Sequence, residues 1–129
     1  MNKELTRRFL SKSNVFAVVG VSRNSEKYGH KVYKDLKNAG YTVYPVNPKA
    51  DRIDGERCYH SLREMPELPD VVNIVVPPEV TEKMVRECKE LGIKKVWMQP
   101  GSESPAAIRF CRENSIEIMH GACIMVERG

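Results

Sequence analysis

The sequence has no apolar run long enough to cross a bilayer, so a membrane-spanning helix is not expected. Its opening, MNKELTRRFLSKS, carries basic residues but also Glu4, and no long apolar block ending in small residues. No secretory leader is expected, and the cytoplasm is the expected compartment. The four cysteines, Cys58, Cys88, Cys111 and Cys123, form no CxxC pair and no Cys/His group at metal-ligand spacing. Free thiols are therefore expected, and no metal site. Cys88 and Cys111 fall on the apolar faces of predicted helices, where a small buried hydrophobe is the ordinary outcome. Charge of one sign is lacking too: 21 basic and 17 acidic residues leave a net +4 spread along the chain. That balance is too mild for a nucleic-acid surface and suits a small anionic ligand. Neither an internal repeat nor a low-complexity tract is present.

What the chain does have is alternation. Its 129 residues are the length of one domain, expected over 1–129. Apolar, β-rich runs at 15–20, 41–46, 71–76, 95–98 and 116–119 read as strands, several ended by Gly or Pro. Between them lie helical spacings: Val32, Leu36 and Ala39 before Gly40; Val80, Met84, Val85, Cys88 and Leu91 before Gly92; Ala107, Ile108 and Cys111 before Asn114. Leu5, Phe9 and Leu10 predict a further helix at the start. The stretch 49–69, rich in Asp, Gly and Pro, predicts an irregular connection with a helical turn near 61–65. Strands alternating with helices imply right-handed crossovers and a mainly parallel five-stranded sheet covered on both faces, a Rossmann-like three-layer α/β/α fold.

In such sheets ligands bind beyond the carboxyl ends of the strands, which singles out four loops. In the first, GVSRNSEKYGHK, Gly20 permits a tight turn, Ser22 offers a hydroxyl, and a helix starting near Gly29 would aim free N–H groups at an anion. Arg23, Lys27 and His30 are expected to add side-chain donors. The loop is not the dinucleotide fingerprint G-x-G-x-x-G, because Ser22 takes the place of the second glycine. In the second loop, VNPK, Asn47 and Lys49 stand where an NAD-binding domain usually has a carboxylate for the ribose hydroxyls. A cation there fits a phosphorylated ribose, that of NADP or that of coenzyme A (CoA). The third loop, Val76-Pro77-Pro78, makes a stiff apolar wall before a helix. In the fourth, Trp97 and Met98 are expected in the core and Gln99 and Gly101 toward the crevice, with Ser102 capping the next helix and Pro105 in its first turn.

Taken together, "FAVVGVSRNSEKYGHKVYKDLKNAGYTVYPVNPK", "GERCYHSLREMPELPDVVNIVVPP", "GIKKVWMQPGSES" and "CIMVE" resemble the small stand-alone CoA-binding domain proteins, relatives of the N-terminal CoA-binding domain of the succinyl-CoA synthetase α subunit. The resemblance spans nearly the whole chain. It implies a Rossmann-type domain that holds CoA, with the diphosphate near Gly20, Val21, Ser22 and Arg23, and Lys27 and Gly29 close by. It puts Asn47, Pro48 and Lys49 near the ribose phosphate and adenine, and Val76, Pro77 and Pro78 along the nucleotide and pantetheine path. Residues 24–28 depart from the synthetase's glycine-containing loop. The synthetase's phosphorylated histidine and nucleotide-activating domain lie outside the resemblance, so ligation of acyl-CoA by this chain alone is not expected. His60 and His120, near strand ends without a catalytic partner, are expected to be structural hydrogen-bonders.

Three readings follow. The first is a non-catalytic module for CoA or an acyl-CoA, acting as sensor, carrier or partner of a CoA enzyme. The second is a small NADP-dependent reductase, which Lys49 also permits; the third is a ligand-free interaction domain that keeps the fold. Cys123, after the last strand, adds the possibility of a mixed disulfide with the thiol of CoA.

Overall fold

A computed structural model describes residues 2–129 of the chain. The first helix, α1 (Lys3–Phe9), is capped by Asn2, whose Oδ1 accepts from the Leu5 N–H at 3.1 Å. Then come β1 (Val15–Val19), α2 (Tyr28–Asn38), β2 (Thr42–Val46), a short hairpin of β3 (Arg52–Ile53) and β4 (Glu56–Arg57), and a 3-10 turn at Leu62–Glu64. The second half runs β5 (Val71–Ile74), α3 (Pro78–Leu91), β6 (Lys95–Met98), α4 (Pro105–Glu113), β7 (Glu117–Met119) and α5 (Ile124–Glu127). No helix among the described residues is long and apolar enough to cross a membrane.

Five strands form one parallel sheet in the order β2-β1-β5-β6-β7. Side chains alternate across it and define two cores. On one face Phe16, Val18 and Trp97 meet Phe9 of α1, Tyr33 and Leu36 of α2, and Ile124 of α5. On the other, Ala17, Val19, Val72, Ile74, Val96 and Met98 meet Val85 and Cys88 of α3 and Ala107 and Cys111 of α4. Strands covered on both faces must be apolar throughout, which is why they read as continuous runs rather than as alternation. Trp97 is fully buried, stands edge-on to Phe9 at 6.0 Å, and donates its indole N–H to the Ala122 carbonyl at 3.0 Å. Truncating it to alanine would cost about 3–5 kcal/mol.

The expected strands and the doubly wound topology are all present. Two elements went unpredicted: the β3–β4 hairpin inside the supposed irregular connection, and α5. The hairpin turns on Asp54 (φ 51°) and Gly55 (φ 81°), the pair of left-handed residues that a two-residue hairpin loop requires. The cap of α4 also differs from expectation. Ser104, not Ser102, accepts from the Ala107 N–H at 3.2 Å. Ser102 instead accepts from the Val76 N–H at 3.0 Å and ties the loops after β5 and β6 together.

Cys88 and Cys111 are fully buried on α3 and α4. Burial raises both thiols, Cys111 to about 11 and Cys88 further still. These two sulfurs are packing groups.

Candidate functional site

The chain steps from β1 outward to β2 and later returns to the other side of β1 as β5, so the crossovers diverge between β1 and β5. Divergence leaves a crevice at the carboxyl ends of those strands. A groove of about 410 Å³ lies there, lined by Val19, Gly20 and Ser22 after β1, Val46, Asn47, Pro48 and Lys49 after β2, His60 and Ser61, Val76 after β5, and Val80, Met84 and Glu87 of α3.

The first loop is held by close packing of backbone. Gly20 has φ 102°, and a Cβ on it would run into the Val75 carbonyl and the Val76 side chain. A Cβ on Gly29 would run into the Gly20 carbonyl. The two glycines thus let the start of α2 lie against the turn that leaves β1. Lys27 at the cap of α2 contributes no side-chain hydrogen bond to the helix start, so the first-turn N–H groups lack a side-chain acceptor. Arg23 and Lys27 are exposed on this loop, and the Ser22 hydroxyl accepts from the Asn24 N–H at 3.0 Å.

His30 does not serve as the expected anion donor. It is buried, with Nδ1 2.6 Å from the Ser22 carbonyl oxygen and Nε2 2.9 Å from Asp54 Oδ2 on the hairpin. Its ring is committed to bracing the loop. Asn47 is a second brace: its Nδ2 donates to the Val21 carbonyl at 2.7 Å and its Oδ1 accepts from the Lys49 N–H at 2.8 Å. This fixes Pro48 and Lys49, both exposed, at the mouth of the groove.

Of the residues singled out from sequence, Gly20, Ser22, Asn47, Pro48, Lys49 and Val76 come together on the groove wall. Val21 and Gly29 are buried behind it, while Pro77 and Gly101 are exposed on the neighbouring loops and Pro78 is exposed at the start of α3. Gln99 does not point into the crevice. It is fully buried, because its Oε1 accepts from the Ile124 N–H at 3.0 Å and its Nε2 lies 2.6 Å from the Tyr28 hydroxyl and 3.3 Å from Cys123 Sγ. Tyr28 donates its O–H to the same sulfur at 2.9 Å. Desolvation, followed by the hydrogen bond and charge of Cys123, pushes the Tyr28 phenol up to about 12.

Sequence reasoning missed Val80, Met84 and Glu87 as groove residues. Their i, i+4, i+7 spacing was visible, but two of the three read as core. His60 was expected to be structural, and its Nε2 lies 2.7 Å from Asp51 and its Nδ1 3.4 Å from Glu64. It separates the groove from a second cavity of about 330 Å³ lined also by Arg52, Arg57, Cys58 and Tyr59. His120 Nδ1 is 3.8 Å from Glu103. Among the described residues no cluster of three or more His, Cys, Asp or Glu side chains is arranged to hold a metal ion.

These features define a doubly wound α/β domain with a ligand-sized cleft at its topological switch point. Residues 14–129 match the CoA binding domain family, and the chain belongs to that family. It is 30% identical to the Bacillus subtilis protein YneT over 125 residues, covering 97% of this chain and 93% of that one. To an ADP-forming acetate–CoA ligase of Methanocaldococcus jannaschii it is 36% identical over 87 residues, 67% of this chain but only 12% of the ligase. A conserved hypothetical protein of Pyrococcus furiosus has the same fold, with a TM-score of 0.84 at 47% identity, covering 88% of this chain and 97% of that one.

Proposed function

We propose that the chain, as one domain over 1–129, is a non-catalytic module that binds coenzyme A or an acyl-CoA. The observation that carries this reading is the groove at the β1/β5 switch point, with Gly20 and Ser22 at one wall and Lys49 at its mouth. The glycine cradle fits a diphosphate, since a side chain at Gly20 or Gly29 would displace the turn whose backbone would face it. Arg23 and Lys27, exposed on the same loop, would supply cations to that diphosphate, and buried Val21 would back the turn. Lys49 fits the 3'-phosphate of the ribose, Asn47 and Pro48 the adjoining sugar and base, and Val76, Pro77 and Pro78 the start of the pantetheine arm. Membership of a CoA binding domain family supports the choice of CoA over NADP. The matched ligase carries a stretch similar to this chain within a far longer protein, so a CoA enzyme is the proposed partner, and the cytoplasm the proposed compartment.

The decisive experiment is calorimetric titration with CoA, dephospho-CoA, NADP and NAD. CoA should bind best and lose affinity when its 3'-phosphate is removed. Tighter binding of NADP would replace the module reading with a reductase.

A second reading has its own observation. Cys123 is half-exposed, and its Sγ receives donors from both Tyr28 and Gln99, which orient it. In this reading Cys123 attacks one sulfur of CoA disulfide, forming a protein–CoA disulfide while the other CoA leaves as its thiolate and takes up a proton.

A further inference from the structure

We infer that Glu87 is a specificity-determining residue that reads the amino edge of an adenine base in the groove; this deepens the CoA reading and rests on it. Val80, Met84 and Glu87 stand at i, i+4 and i+7 on α3, and all three line the groove. The first two continue an apolar wall with Val19, Val46 and Val76; the third ends it with a carboxylate. Glu87 Oε1 is closed off from solvent and has no hydrogen-bond partner among the described residues. The other oxygen lies 4.0 Å from Arg63 Nε, too far for a hydrogen bond, and Arg63 is engaged with Glu90 at 2.6 Å.

A carboxylate oxygen taken from water without a donor is destabilising, so this end of the groove lacks one N–H group. The apolar walls fit a flat ring, and the missing donor fits the exocyclic amine on that ring. The Glu87 side chain is 26% exposed and lines the groove, so its carboxylate is within reach of a donor that enters there. With the phosphorylated ribose at Lys49 and the base beside Asn47 and Pro48, the far edge of the base faces α3 across the groove, where Val80, Met84 and Glu87 line it. A 6-keto purine would place a carbonyl oxygen against the carboxylate and be repelled.

The test is titration of the full chain with CoA and with deamino-CoA, in which hypoxanthine replaces adenine at equal size. Wild type should bind CoA about tenfold or more tighter than the deamino compound. Glu87→Met should bring the two within about twofold without lowering the melting temperature, since it removes an unpartnered acceptor. Glu87→Gln, whose amide both donates and accepts, should also bind the two nearly equally. Equal binding of both ligands by wild type, or discrimination that survives in both variants, overturns the assignment of Glu87 while leaving the CoA reading intact. Failure of wild type to bind CoA at all overturns both.

Discussion

Gly29 faces the Gly20 carbonyl so closely that even a methyl group would overlap the oxygen. The contact sets how near the start of α2 can come to the turn after β1, and so where the first-turn N–H groups point. It is a packing constraint and a site constraint at once.

Gly29→Ala is therefore expected to push α2 off the turn. Overpacking of this kind costs about 1–3 kcal/mol, read as a lowered melting temperature. CoA affinity should fall together with stability, because the displaced helix start is part of the proposed diphosphate cradle. A variant with wild-type stability and affinity would show that the backbone relaxes without moving the site.

Lys49→Ala separates phosphate recognition from folding. Lys49 is exposed at the mouth of the groove, so its loss should leave thermal stability nearly unchanged. CoA binding should weaken by about 1.5–3 kcal/mol, the range for a hydrogen bond to a charged group, while dephospho-CoA binding should hardly change. An equal loss for both ligands would remove Lys49 from the 3'-phosphate.

The fold was legible because each buried strand must be apolar on both faces and each crossover must be a helix with an amphipathic period. The loops around the groove were legible through Gly20, Asn47 and Lys49, because a glycine turn after the first strand and a cation where a dinucleotide-binding domain has a carboxylate stand out in sequence. His30 and Gln99 misled for one shared reason: a polar side chain near a strand end serves either a ligand or the chain itself, and sequence spacing does not tell which. For His30 the answer came from Asp54, 24 residues further along at the turn of a hairpin that stands apart from the main sheet. For Gln99 it came from the N–H of Ile124, the first residue of a helix too short to show a period. Glu87 was hidden because α3 presents it on the same stripe as Val80 and Met84, where apolar neighbours suggest core.

Cys123 is distinguished from the other thiols by access. Treating the protein with CoA disulfide should add the mass of one CoA, and Cys123→Ser should abolish the adduct. Cys88 and Cys111, buried and with their thiols raised by burial, should remain unmodified in the native protein. An adduct that persists in Cys123→Ser would remove this residue from the redox reading.

The Tyr28 phenol supplies a pH test of the same cluster. Burial first, then the hydrogen bond and charge of Cys123, lift its ionisation from 10.0 to about 12 in the folded chain. A group raised on folding stabilises fully below its unfolded value, and that contribution is lost as pH rises through the folded one. Tyr28 should thus contribute stability up to about pH 10 and lose it between about pH 10 and pH 12. Tyr28→Phe removes the titrating hydroxyl, so its stability should fall less steeply than wild type across that window, even though it starts lower for want of the bond to Cys123. Parallel alkaline unfolding curves for the two proteins would mean that the hydroxyl titrates as freely in the folded chain as in water. Neither the burial of the phenol nor its bond to Cys123 would then hold its proton.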